Sequence, residues 1–302
     1  MIYEGFVRFL KFEKRYSSNT ITSYINDVNQ FVAFLQSEYD FKIEEENDLK
    51  SINTKQVRSW VLNLVEKDQK ASSIKRKVSS LKTFFKTLQI NGIIKNNPAD
   101  KISTPKIPER LPKFVSEKSL ARLYDNKKEL FEESYEGKLQ FVLIELLYGT
   151  GMRRDELLNI RISDINWAKK ELKILGKGNK ERILPLGKEI INLLNDFIVD
   201  RNAIIKENKE IPFLFITSKG EKLYPNYVYR VVKKYLSLCS TVEKKSPHVL
   251  RHSFATHLSN NGSKLNDIKE LLGHSSLAST QIYTHNTIEQ LKEIYKLAHP
   301  KA

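Results

Sequence analysis

The chain has 302 residues, 40% hydrophobic and 29% charged, enough for two domains of ordinary size with buried cores. No apolar run approaches the roughly 18 residues that a membrane span needs, and the first eighteen residues break their apolar stretch with charges, so neither a span nor a signal peptide is expected. One cysteine, Cys239, excludes an internal disulfide framework and thiolate zinc clusters and suits a reducing, cytoplasmic compartment.

The net charge is +15, and it is not confined to one end. Residues 1–105 hold 17 basic and 12 acidic side chains, which leaves most of the excess to 106–302. Two basic halves suit a long polyanion held by both.

Residues 1–95 read as helices. Ile21, Tyr24, Ile25, Val28, Phe31, Val32 and Leu35 recur at helical spacing behind a candidate N-cap, Ser18. Val57, Trp60, Val61, Leu64 and Val65 mark another helix. A third runs over about 73–88, with Ile74, Val78, Leu81, Phe84, Phe85 and Leu88 inward. Its outer face carries Lys75, Lys82 and Lys86, at spacings of 7 and 4, flanked by Arg76 and Lys77. These five are candidate contacts to a polyanion, although a solvated helix face has the same pattern.

Four prolines, Pro98, Pro105, Pro108 and Pro112, then predict a stiff, extended, basic linker over 98–113. It separates an N-terminal domain, 1–97, from a second domain, 114–302. Beyond it, helices are expected near 117–124 and 138–148. INWAKKELKIL, GKGN and KERILPL read as strands joined by tight turns. A helix near 188–205, a short strand over 213–217, and helices from about Pro225 to the end complete the pattern.

Four stretches carry candidate chemistry. In GTGMRRDELLNI, Arg153 and Arg154 follow a glycine break, with Glu156 three residues after Arg153. Lys177 sits between two glycines at the tip of the expected hairpin. In SPHVLRHSFATHL, His248 and His252 have the spacing of a zinc helix, but Val249 stands where HExxH needs its glutamate. No metal is expected there. His252 and His257 read as structural, and Arg251 with His248 as an anion clamp. In LLGHSSLASTQIYTH, His274 follows Gly273, and Tyr283 lies nine residues later. No GxxxxGK[ST] string occurs, so nucleotide hydrolysis is not expected.

Together, Arg153, Lys177, His248, Arg251, His274 and Tyr283 resemble the catalytic set of the tyrosine recombinases, the lambda-integrase family, with the bacterial Xer subgroup the nearest match. HVLRHSFATHL and LLGHSSLASTQIYTH are similar to that family's second box, and GMRRDEL to its first. FLKFEKRYSSNTITSYINDVNQF resembles the N-terminal core-binding domain, and NPADKISTPK the linker. The resemblance implies a mainly α fold with a small β-sheet: a helical, SAM-like N-terminal domain and a mixed α/β catalytic domain. It implies DNA strand breakage and rejoining through a 3′-phosphotyrosyl link, with Tyr283 as nucleophile and Lys177 as general acid. Arg153, Arg251, His248 and His274 would act on the phosphate, and Glu156 would orient Arg153. No cofactor is implied. The implied partners are duplex DNA with a specific core site and like or unlike protomers in a tetramer on two sites. A DNA translocase or accessory protein is a further one. A C-terminal helix over 286–298, with Ile288, Leu291, Ile294 and Leu297 on one side, would dock into a neighbouring protomer. Two other classes remain open: a non-cleaving architectural or regulatory DNA-binding protein, and a relaxing enzyme like the type IB topoisomerases.

Overall fold

The structure is a computed structural model that describes residues 3–106, 114–176, 180–205, 210–273 and 285–299. The chain divides into two compact units, Met1–Arg110 and Leu111–Ala302. Among the described residues, no helix is long and apolar enough to cross a membrane.

The first unit is helical. α1 (Glu4–Arg8) runs into a short wide turn over Phe9–Glu13 and is followed by α2 (Ser18–Tyr39) and α3 (Asp48–Ser51). α4 (Thr54–Glu66) and α5 (Ala71–Ile90) complete it. The N-cap of α2 is Ser17, one residue before the expected Ser18, and its hydroxyl accepts from the Thr20 N–H. Asn53 and Gln56 reciprocally cap α4, so the helix starts where the first free N–H groups find side-chain acceptors. The inward residues expected for α5 are all buried, and Phe31 packs edge-on against Trp60 and Phe85 in the middle of this core. Val65, one of the apolar residues that mark this helix in the sequence, is 45% exposed at its end.

The expected linker begins too early. Ala99 and Ile102 are buried in the first unit's core. Asn97 holds this turn by accepting from the Ala99 N–H and donating to the Lys82 carbonyl, at 2.9 and 3.0 Å. The prolines remove helix here without removing packing.

The second unit is built around α8 (Tyr135–Thr150), buried over most of its length, after α6 (Glu117–Asp125) and α7 (Lys127–Leu130). A glycine turn leads to α9 (Arg154–Leu158). A three-stranded antiparallel sheet follows, β1 (Ile165–Asn166), β2 (Glu171–Leu175) and β3 (Glu181–Pro185), in that order. α10 (Lys188–Ala203), α11 (Pro225–Cys239), α12 (Pro247–Asn260), α13 (Leu265–Leu272) and α14 (His285–Ala298) finish the chain. The fold is therefore mainly α with a small sheet.

The strand expected over 213–217 is absent; only isolated bridges pair Arg161 with Phe213 and Ile216 with Lys222. The buried Arg201 explains the difference. Its guanidinium donates to the carbonyls of Ile211, Phe213 and Leu214, which a ladder would otherwise use.

α14 also departs from expectation. It lies against β3, α12 and α13 of its own unit, with Leu291, Tyr295 and Ala298 buried. These three sit at spacings of four and three, so among the described residues the face that closes inward shares only Leu291 with the expected stripe; the side chain of Ile288 lies outside the described residues. Leu297 is 85% exposed and Ile294 half-buried.

Candidate active site

The site is organised by the end of α13. A helix leaves its last carbonyls without intrahelical partners, and its dipole makes that end attractive to cations. Here three arginines take them. Arg182 donates to Leu271 at 3.2 Å, Arg251 to Leu272 at 2.6 Å and Arg153 to Gly273 at 3.3 Å. Gly273 ends the helix in the left-handed conformation, φ 64°, and a Cβ there would come 3.0 Å from the Arg182 side chain.

A second glycine serves Arg251 from the other side. Gly151 ends α8 at φ 61°, and its carbonyl accepts from Arg251 at 2.7 Å. A Cβ at this position would lie 2.4 Å from the Phe254 ring and 2.9 Å from Leu272, so the turn holds only glycine. Thus Arg251, 7% exposed, bridges the turn after α8 and the turn after α13.

Glu156 joins the remaining two arginines. One carboxylate oxygen accepts from Arg153 at 2.8 Å and from Arg182 at 2.9 Å; the other accepts from Arg182 at 2.7 Å and from the Arg153 backbone N–H at 2.8 Å. The Glu156 and Arg182 side chains are 5% and 4% exposed, and that of Arg153 is 30% exposed. Arg153 therefore has its back to a buried carboxylate and its edge toward solvent. Burial alone would raise the Glu156 carboxyl, but hydrogen bonds and charge from Arg182, then Arg153, outweigh it and hold the group down to about 2. Burial and then the Arg153 charge bring Arg251 down to about 10, against the pull of Glu156, so it stays cationic at neutral pH.

His248 lies on the first turn of α12, one turn before Arg251. Burial, then the charges of His252, Lys244, Arg251 and Arg154, hold its imidazole below the ordinary histidine range. His257 is structural, as expected: it is buried, with Nδ1 2.9 Å from the Tyr148 hydroxyl. His252, read from sequence as structural, is exposed instead. Lys177, His274 and Tyr283 lie outside the described residues. Among the described residues, no group of three or more His, Cys, Asp or Glu side chains could hold a metal ion.

Arg182 was not singled out from the sequence. The signal was present: alternation along β3 puts Arg182 on the face of the buried Leu184.

The candidate DNA contacts on α5 do not form one class. Lys75 and Lys86 are exposed. Lys82 is half-buried and donates to the Asp100 carbonyl at 2.9 Å. Arg76 pairs with the buried Asp27, which also accepts from Ser80 at 2.7 Å. Lys77 contradicts the reading of an outward charge. It is 5% exposed, donates to Gln30 and stands 5.9 Å from the centre of the Trp60 ring. Burial pushes its ammonium below the ordinary lysine range.

The phage integrase family profile matches residues 113–290, and the profile described as phage integrase, N-terminal SAM-like domain, matches residues 3–92. The chain is 36% identical over 316 residues to the tyrosine recombinase XerC of Chlorobaculum parvum, covering 99% of this chain and 94% of the relative. It is 35% identical to that of Oceanobacillus iheyensis, covering 99% and 96%. Among solved structures it resembles the XerH site-specific recombinase bound to palindromic difH substrate in a post-cleavage complex. That match has TM-score 0.67 and 22% identity, over 97% of this chain and 94% of that one. The Tn1549 transposon integrase in complex with a circular intermediate DNA matches with TM-score 0.68 at 18% identity, over 97% and 98%.

Proposed function

The chain belongs to the phage integrase family and is a site-specific tyrosine recombinase, and from that membership we propose how its side chains cut and rejoin DNA. The Tyr283 hydroxyl, giving up its proton to solvent, attacks the scissile phosphorus, and the 5′-oxygen leaves with a proton supplied by Lys177. The product is a 3′-phosphotyrosyl link and a free 5′-hydroxyl. In the second step a 5′-hydroxyl from another strand attacks the link, its proton passing to Lys177, and Tyr283 departs, taking a proton back from solvent. One phosphoester replaces another at each step, so no nucleotide energy is needed.

Negative charge on the nonbridging oxygens is met by Arg153 and Arg251, with hydrogen bonds from His248 and His274. Glu156 holds Arg153 in place and takes no part in the chemistry. The observation that carries this reading is the set of three arginines anchored on consecutive carbonyls at residues 271–273. Anchored guanidiniums need little reorganisation when charge develops. Bidentate geometry makes arginine the fitting residue where lysine would not match.

The partner is duplex DNA with a specific core site, and the protein works in the cytoplasm. The first unit, whose core takes in Ala99 and Ile102, forms the core-binding domain and residues 114–302 the catalytic domain. Like or unlike protomers assemble as a tetramer on two sites, with residues 286–298 leaving their seat on their own unit for one on a neighbour as the assembly forms, under control of a translocase or accessory protein. Resolution of chromosome dimers, movement of an integrative element and inversion of a promoter are roles that such an assembly serves.

The test is covalent capture on a nicked duplex, which prevents religation. The wild type forms an adduct that survives denaturation, whereas Tyr283→Phe binds with unchanged affinity and forms none. An adduct from the Phe variant, or none from the wild type on DNA it binds, overturns the assignment. Sequencing the DNA recovered covalently from host cells gives the core site and the genetic role together.

A further inference from the structure

The Arg182 side chain meets three parts of the catalytic unit at once. Its fork takes both carboxylate oxygens of Glu156, at 2.9 and 2.7 Å, and so backs the carboxylate that holds Arg153. Its Nε donates to the Leu271 carbonyl near the end of α13. The third contact is one of close approach. A Cβ on Gly176 would stand 3.4 Å from Arg182 Nη1 and 3.6 Å from Glu156 Oε1, so the Gly176 backbone rests against the ion pair itself. A Cβ on Gly273 would stand 3.1 Å from the same Nη1. One guanidinium nitrogen is thus flanked by two glycines, and each glycine is followed in the chain by a candidate catalytic residue, Lys177 and His274.

Stability does not account for a charge in this place. Arg182 pairs with Ile174 of β2 in the sheet register, and both are buried. An apolar residue would continue that face toward Leu184 without the desolvation that a buried ion pair costs. What the fork adds is geometry. Gly176 follows β2 and closes the β2–β3 connection, its N–H donating to the Lys180 carbonyl at 2.8 Å. The Lys177 Cα lies one peptide, about 3.8 Å, from that of Gly176, so the seat of the glycine fixes where the lysine begins.

We propose that Arg182 is a positioning residue for the general acid: by seating Gly176 against the Arg153–Glu156 pair, it sets the root of Lys177 relative to the guanidinium that meets the scissile phosphate. This rests on the assignment of Lys177 as the acid. The step served is departure of the 5′-oxygen. As the Tyr283 oxygen–phosphorus bond forms and the bond from phosphorus to the 5′-oxygen breaks, the Lys177 ammonium gives that oxygen a proton and becomes a neutral amine. Arg182 keeps its own protons throughout.

The experiment compares two DNA duplexes carrying the recovered core site, one with an ordinary scissile phosphate and one with sulfur as the 5′-bridging atom. A thiolate leaves without a proton, so sulfur removes the need for the acid. Arg182→Lys keeps the buried charge opposite Glu156 but loses the fork. On the ordinary phosphate it forms adduct about 10²-fold more slowly, the scale of a misplacement of about 1 Å. On sulfur it recovers most of the wild-type rate, and DNA affinity is unchanged on both. Joined to Lys177→Ala, it adds no further slowing to that variant, because both remove one proton transfer. Gly176→Val leaves the ion pair intact and crowds the seat from the other side; it shows the same slowing and the same recovery, and it carries the test where Arg182→Lys does not fold. A wild-type rate on the ordinary phosphate, equal slowing on both duplexes, or penalties that multiply with Lys177→Ala overturn the proposal. If Lys177→Ala is itself not recovered by sulfur, the assignment of the acid fails and this role with it. If Lys177→Ala is recovered and Arg182→Lys is not, only the role of Arg182 falls.

Discussion

The two units use positive charge in opposite ways. In the catalytic unit, Arg153, Arg182 and Arg251 are tied to one carboxylate and to the carbonyls that end α8 and α13. In the N-terminal unit, α5 carries five cations in sequence proximity, yet only Lys75 and Lys86 face water without a described partner. The first arrangement fixes cations where water is scarce and each is worth more. The second leaves mobile charges in water, screened by salt, that suit sequence-independent phosphate contact. Arg76 and Lys77 belong to neither use: they hold α5 to α2 and α4 through Asp27, Gln30 and Trp60.

The sharpest way to break this contrast is to remove the carboxylate from each unit. Glu156→Gln leaves two guanidiniums facing a neutral amide, one of them buried, and should destabilise the catalytic unit by about 3–5 kcal/mol. Asp27→Asn should cost the N-terminal unit only ~1–2 kcal/mol, because the Arg76 side chain is 44% exposed and regains water. Each unit carries one of the two tryptophans, Trp60 and Trp167, so urea unfolding in single-tryptophan backgrounds reports them separately. Equal losses would mean that the arginine cluster is no better anchored than the helix pair.

The same carboxylate sets a pH dependence. The folded Glu156 carboxyl is held down to about 2, so its contribution is complete above the ordinary carboxylate range and is lost as pH falls toward that value. The acid limb of catalytic-unit stability should flatten in Glu156→Gln. An unchanged limb would assign acid unfolding to other groups.

Next in size is Arg251→Lys. Lysine cannot span the Gly151 and Leu272 carbonyls with a planar fork, so cleavage should fall about 10²–10³-fold with DNA binding little changed. Single-turnover adduct formation measures it, and parallel loss of binding and rate would return Arg251 to a purely structural role.

A smaller effect concerns His248. Burial and then its cationic neighbours hold the imidazole below the ordinary histidine range in the free protein, and a bound phosphate opposes that shift. DNA binding near the histidine range should therefore take up part of a proton, seen as a buffer-dependent heat in calorimetry and absent in His248→Asn. Proton release on binding would contradict the placement of the phosphate.

The smallest effect separates the α5 cations from one another. Lys75→Ala and Lys86→Ala should each flatten the salt dependence of binding by up to about 0.9 in log–log slope, one phosphate's share. Lys77→Met should leave the slope unaltered. A slope change at Lys77 equal to that at Lys75 would mean that the buried lysine turns outward on DNA.

The fold class was legible because the helical spacing of α2, α4 and α5 and the strand–turn–strand pattern around Gly176 both follow from local periodicity. The 213–217 segment reads as a strand but forms none, because Arg201 of α10, whose reach the local pattern does not reveal, takes its carbonyls. Arg153, Glu156 and Arg251 were legible from their motifs. Arg182 was overlooked because one charged residue in a short strand reads as solvent-facing unless its phase is checked against Leu184. Lys77 shows the same lesson on a helix. The row Ile74, Lys77, Leu81, Phe84 follows the inward spacing, so periodicity had already put the lysine inside and only its charge argued otherwise. Charge tallies locate a function class; phase along the element decides which charges are available to it.

The anchoring of α13 also bears on motion. Arg153, Arg182 and Arg251 come from three different elements and hold consecutive carbonyls at one helix end. That end is therefore a shared hub: a tilt of α13 is felt by all three guanidiniums at once, and none of them can be re-aimed without the others.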